Sequence, residues 1–199
     1  GEGFASYGTR TLIVPSEDQI VYGIDLFTAN GIWKFSTGAP VVQAPLTSGE
    51  DIIVINSAGG LSNLDPKTGS PRWTASTHNA RLLSLSKSKI FLLSENRDLY
   101  VIDRATGTTF LDPIATHQRA GVDLRKLSLT FTNSYNDRMY FGTSSGVIVC
   151  IREIGQIQPL LLRDPKALPF GYVPPEGLKL PKQGKSSAEF RVGGEATEP

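Results

Sequence analysis

Three features of the sequence predict an all-β fold built from four-stranded antiparallel blades, a β-propeller. First, apolar, strand-like runs ending in Asp recur at 21–25, 61–65 and 99–103, with Asp25, Asp65 and Asp103 spaced by 40 and then 38 residues. Second, Thr follows three residues after each Asp, as Thr28, Thr68 and Thr106, and Trp33 and Trp73 each lie eight residues past theirs. Third, other apolar runs separated by polar turns lie between the motifs, so a unit of about forty residues holds about four short strands. A sheet of that size cannot bury its faces alone and must stack on copies of itself.

Taken in order, the first unit, 1–38, places its innermost strand at the start of the chain and further strands at 11–14, 21–25 and 32–35. The second, 39–79, reads as strands at 41–46, 52–55 and 61–65 and one around Trp73. The third, 80–118, reads as strands at 82–85, 90–93 and 99–103, then one in which Phe110 or Leu111 takes the place of Trp. The fourth, 119–163, has strands at 139–141 and 146–152, with Arg152 where Asp is expected. Arg152 lies 49 residues after Asp103, so this unit holds roughly ten extra residues. They are assigned to an exposed loop from Asp112 to Lys126, whose shortening should leave the fold intact. Residues 160–162 are expected to finish the last blade. Seven of the 13 prolines lie from Gly155 onward, so 164–182 reads as an extended strap anchored by Phe170 and Tyr172, and 183–199 as a disordered tail.

The repeated motif has a local rationale. Asp at a strand end accepts backbone N–H bonds from the residues just ahead, and Thr closes the same turn with its hydroxyl. Gly69 and Gly107 then supply a positive φ. The first unit has Ala29 there, and its Asn30-Gly31 pair is expected to carry the permissive position two residues on. Asp25, Asp65 and Asp103 therefore read as turn formers rather than catalytic or metal-binding carboxylates. Trp33 and Trp73 read as wedges between neighbouring blades, since replacement by Phe110 or Leu111 suits packing better than a cofactor platform.

No other residue type assembles a reactive set. His78 and His117 have no His, Cys, Asp or Glu at a metal-ligand spacing and read as solvated loop histidines. Cys150, the single cysteine, sits between Val149 and Ile151 and reads as a small buried hydrophobe. Ser57-Ala58-Gly59-Gly60 lacks the Lys and the helix of a phosphate loop and reads as a hairpin turn. The sequence thus predicts no catalytic, cofactor or metal site. The net charge of +1 gives no field for nucleic acid or an anionic membrane. No apolar run approaches the roughly 20 residues of a membrane span, and Gly1-Glu2-Gly3 is not the start of a signal peptide. Insertions in repeat folds gather on a binding face, so His117, Arg119 and Arg125 are the candidates for meeting a partner protein, with an arginine reaching a carboxylate or carbonyl.

The run of Asp25, Thr28 and Trp33, repeated as Asp65, Thr68, Gly69 and Trp73 and again as Asp103, Thr106 and Gly107, resembles the quinoprotein-type propeller family over residues from about 7 to 155. The resemblance implies a ring of about six to eight blades, of which about four are present, the others lying upstream or in a partner. Alcohol dehydrogenases of that family use pyrroloquinoline quinone beside a cysteine pair and a Ca²⁺. This chain has one cysteine and no acidic set that aligns to such a site, so no cofactor carries over. A second branch is similar to the propeller lipoprotein of the outer-membrane β-barrel assembly machinery. The resemblance therefore implies a non-catalytic scaffold for protein–protein interaction in the periplasm or cell envelope. The alternative is a piece of a quinone-dependent dehydrogenase without its active-site half, and a third reading is the sensor domain of a larger receptor.

Overall fold

The computed structural model describes residues 3–77, 80–131, 133, 135–162 and 164–173. Its strands form four antiparallel sheets, one per repeat unit. The first holds β1 (Ala5–Tyr7), β2 (Thr11–Pro15), β3 (Ile20–Asp25) and β4 (Gly31–Ser36). The second holds β5 (Leu46–Ser48), β6 (Asp51–Ile55), β7 (Gly60–Leu64) and β8 (Pro71–Ser76). The third holds β9 (Arg81–Leu85), β10 (Lys89–Leu93), β11 (Leu99–Asp103) and β12 (Thr109–Leu111). The fourth has three strands among the described residues, β13 (Leu129–Phe131), β14 (Met139–Gly142) and β15 (Ile148–Ile151). Strands adjacent in sequence are adjacent in each sheet, the order that short hairpin connections impose.

Side chains alternate across each sheet, so every central strand serves two cores. Ile52 and Val54 of β6 pack with Ile13, Val21 and Trp33 of the first sheet, while Ile53 and Ile55 pack with Leu85, Ile90 and Leu92 of the third. Phe91 and Leu93 of β10 face Met139 and Phe141 of the fourth. Strands buried on both faces must be apolar nearly throughout, which accounts for runs such as Ile52-Ile53-Val54-Ile55. Each such side chain contributes about 1.5–3 kcal/mol on burial. Three inter-sheet cores thus hold four blades in sequence.

Three expectations about elements are corrected. The innermost strand of the second blade is Leu46–Ser48, not 41–46: Val41 makes an isolated bridge to Asn56, and Pro45 has no N–H to donate to a ladder. Residues 160–162 do not extend the fourth sheet. They pair with the segment ahead of β14, Leu162 N donating to Tyr135 O (3.0 Å) and Asp137 N to Leu160 O (3.0 Å), while the Leu162 side chain packs against the core between the second and third sheets. The extra residues of the fourth unit form α1 (Pro113–Ala120) and a 3₁₀ turn (Leu124–Lys126) in place of a loop.

Asp112 caps α1 by accepting the Ala115 N–H (2.8 Å), Pro113 occupies the first turn, and Gly121 at φ 65° ends it. Thr116 and Leu124 are buried, and Leu124 and Leu127 join the third core. The described part of the strap returns to the first blade, where Gly171 N donates to Thr9 O (2.9 Å) with Phe170 and Tyr172 half-buried beside it. Residues 174–182 of that strap and the expected tail 183–199 lie outside the described residues.

Candidate interaction surface

The repeated Asp residues form one turn three times over. Oδ1 of Asp25 accepts the N–H of Phe27 (2.9 Å) and Thr28 (3.1 Å), that of Asp65 those of Lys67 (2.8 Å) and Thr68 (3.1 Å), and that of Asp103 those of Ala105 (3.0 Å) and Thr106 (3.1 Å). The Thr28, Thr68 and Thr106 hydroxyls accept a backbone N–H two residues on. Ala29, Gly69 and Gly107 stand at φ 55°, 70° and 74°, so Ala29 takes the left-handed conformation itself and the Asn30-Gly31 pair does not relieve it.

The second carboxylate oxygen of each Asp meets a cation: Arg10 Nε at Asp25 (2.5 Å), Arg72 Nη2 at Asp65 (2.9 Å) and Lys89 Nζ at Asp103 (2.9 Å). All three carboxyls are held below the usual carboxylate range. For Asp103 the Lys89 hydrogen bond is the largest cause. For Asp25 and Asp65 burial is the largest influence and opposes ionisation, but the Arg10 and Arg72 hydrogen bonds and the turn N–H groups outweigh it. Arg72 and Arg104 also converge on Asp51, Arg104 Nε lying 2.6 Å from Oδ2, which ties the second and third blades together.

Each indole joins one blade to the next. Trp33, 7% exposed, donates its Nε1–H to the Pro66 carbonyl (2.9 Å) and covers Gly69, so that a Cβ there would overlap the ring. Trp73, half-buried, does the same with the Arg104 carbonyl (3.0 Å) and Gly107. At the third joint the residue in register is Leu111, which pairs with Val101 as Trp33 pairs with Gly23 and Trp73 with Asn63. Phe110 lines the same joint beside it, with the Lys89 ammonium 3.8 Å from its ring centroid. Arg152 keeps the Asp position, following the β15 residues Val149 and Ile151 that face the third sheet. Its turn is rebuilt: Arg152 Nη1 and Arg138 Nη2 each donate to the Gln156 carbonyl (both 2.9 Å), Gln156 N donates to the Glu153 carbonyl (3.2 Å), and the Glu153 carboxylate accepts from the Ser86 and Ser88 hydroxyls of the third blade.

Between Leu111 and this rebuilt turn lies a cleft of about 410 Å³, bounded by Val101, Val149 and Ile154 and, from α1, by Arg119 and Ala120. Arg119 is exposed, with no ion-pair partner among the described residues. Arg125, expected to be available, is engaged instead by Asp98, with Nη2 2.8 Å from Oδ1. His117 is exposed, its Nδ1 3.1 Å from the Val122 carbonyl. His78 lies outside the described residues. Cys150 is exposed rather than buried, because it points to the face of β15 that no described sheet covers. Among the described residues no three His, Cys, Asp or Glu side chains converge as a metal-binding group. Neither the cleft nor α1 was read from the sequence. Asp112-Pro113 followed by Gly121 was the available signal for the helix, and the missing indole at 111 the signal for the cleft.

A sequence profile of the family described as outer membrane protein assembly factor BamB matches residues 1–177. The outer membrane protein assembly factor BamB of Shewanella oneidensis is 22% identical over 151 residues, covering 75% of this chain and 36% of its own length. The chain thus spans about a third of that curated relative. In fold, BamB from Moraxella catarrhalis superposes with a TM-score of 0.50 at 16% identity, covering 71% of this chain and 46% of that one. The computationally designed Ika4 protein gives 0.52 at 15% identity, covering 76% of this chain and 94% of that one.

Proposed function

Because the chain belongs to the family of the outer membrane protein assembly factor BamB, we propose that it is a non-catalytic propeller scaffold of the bacterial cell envelope that contacts other proteins during outer-membrane protein assembly. One observation carries this reading. The repeated polar residues are engaged within the fold, whereas the insertion that forms α1 presents Arg119, without an ion-pair partner among the described residues, beside an open, largely apolar cleft. Rigid sheets that position an inserted element suit recognition, and an exposed Arg next to apolar surface is a common interface anchor. The partner is a protein, with no role for nucleic acid and no membrane insertion by this chain.

The test is a photocrosslinking amino acid at Arg119, expressed in the full-length protein in its native cell, with a second placed at exposed Glu17 on the first blade as a control. Specific crosslinks from 119, and not from 17, to a component of outer-membrane protein assembly are expected. Crosslinks restricted to unrelated proteins, or equal at both sites, overturn the reading. The dehydrogenase alternative is tested by titrating the protein with pyrroloquinoline quinone and Ca²⁺: saturable binding with dye-linked alcohol oxidation would establish it, and none is expected.

A further inference from the structure

Each blade has a leading face, turned to the blade before it, and a trailing face, turned to the blade after. Ile52, Val54 and Leu64 lead the second blade and Ile90, Leu92 and Ile102 the third, and the preceding sheet buries all six to 2% exposure or less. Leu12, Val14 and Ile24 hold the same registers in the first blade, where they stand half-buried and belong to none of the three cores. On the trailing side, Leu99 and Val101 of the third blade lie 4% exposed beneath the fourth. Ile148 and Cys150 take those registers in the fourth blade and are exposed, Ile148 at 68%. The row of sheets thus carries one half of an inter-blade joint at each end.

The turns match the halves more closely. The fourth residue after the repeated Asp is Gly69 or Gly107 where the preceding blade lays Trp33 or Trp73 on it, and Gln156 where the preceding blade brings Leu111. In the first blade that residue is Ala29, whose Cβ excludes an indole laid as on Gly69 and Gly107. A sheet that fits the leading face of the first blade therefore brings no tryptophan to this turn. The fourth blade meets that condition: Trp33 and Trp73 are the chain's two tryptophans, and no outer strand pairs with β15 among the described residues.

We propose that the trailing face of the fourth blade docks on the leading face of the first blade of a second copy of this chain, and that the reciprocal joint closes two copies into one ring. The contact is head-to-tail, so it closes only where the rotation returns on itself. Size agrees with two copies: the superposed part of this chain covers 46% of BamB from Moraxella catarrhalis, and propellers close with about four to eight blades.

The experiment uses the whole chain and its single cysteine. Leu12→Cys places a second thiol on the opposite end face, and a short bismaleimide is added. A covalent dimer is expected in which peptide mapping finds the introduced thiol joined to Cys150, with no longer species and no covalent dimer from the wild type. Links between two Cys150 thiols indicate face-to-face pairing, a ladder of trimers and longer species indicates an open filament, and a chain that stays monomeric leaves these faces to blades of another protein. Each of these overturns the proposal. A second measurement holds even where the Leu12 variant fails to fold. Ile148→Lys and Val14→Lys each spoil one half of the joint, so either alone should sediment as monomer, whereas their mixture retains one intact joint and should recover part of the dimer. A mixture no more associated than its components overturns the head-to-tail contact.

Discussion

Ala29 holds a conformation that its counterparts Gly69 and Gly107 leave to glycine, at φ 55°. The Asp25 carboxylate, through the N–H groups of Phe27 and Thr28, sets the turn whatever stands at position 29. Alanine is tolerated because no described indole covers it, but the left-handed region costs a non-glycine residue about 1–2 kcal/mol. Ala29→Gly should therefore raise stability by up to about 1 kcal/mol in urea unfolding, and a loss would contradict the strain. The two indoles differ in burial, so Trp33→Ala should cost about 3–5 kcal/mol and Trp73→Ala less, a ranking the same measurement checks. The three depressed carboxyls predict an acid response. A group whose pKa falls on folding stabilises the fold above its unfolded value, near about 3.9 for Asp, and that contribution disappears as pH falls through the lower folded value. The urea midpoint should hold from neutrality to about pH 5 and drop below about pH 4, with a smaller drop in Asp103→Asn. The Asp and Thr roles were legible because their bonds span two or three residues of chain. The exposure of Cys150 was not, because it depends on what covers the far face of a sheet.

At the scale of elements, periodicity exposed the strands that pair within a blade and hid the one element that breaks the period. The caps of α1 are written in Asp112, Pro113 and Gly121, yet Ile114 is 70% exposed and Thr116 is the helix's buried residue, so no apolar stripe marks it as helical. Val41 and Val42 invited a strand from their side chains alone, and Pro45 decides against it through its missing donor. The insertion was expected to be dispensable for folding, and its packing says otherwise, since Leu124 sits in the core shared by the third and fourth blades and Val122 packs against it. Leu124→Ala should cost about 2–4 kcal/mol, and Asp112→Ala, which removes a cap, about 1 kcal/mol. Excising 112–126 should lower the thermal midpoint clearly. An unchanged midpoint would mean that the segment lies on the surface without supporting it.

The described residues form a row of sheets whose inner faces are paired and whose last face no described sheet covers. Ile53 and Ile55 in the second blade and Phe91 and Leu93 in the third are covered by the blade that follows. On the corresponding face of the fourth, register places Leu129 with Ile148, and Phe131 with Cys150, on the side away from the third blade. They stay exposed, Ile148 at 68%, and β15 has no partner on its outer edge among the described residues. An apolar face beside an unpaired strand edge is a template for association. The chain by itself should therefore self-associate reversibly, with sedimentation velocity showing dimers at concentrations on the order of tens of micromolar. Ile148→Lys places a charge on that face, on its open-edge strand, while touching no core, so it should shift the protein toward monomer without moving its thermal midpoint. A second blade-like surface supplied in trans would compete with this dimer, because it would cover the same residues. A chain that stays monomeric across the concentration range, or a dimer indifferent to Ile148→Lys, would show that something else covers the face.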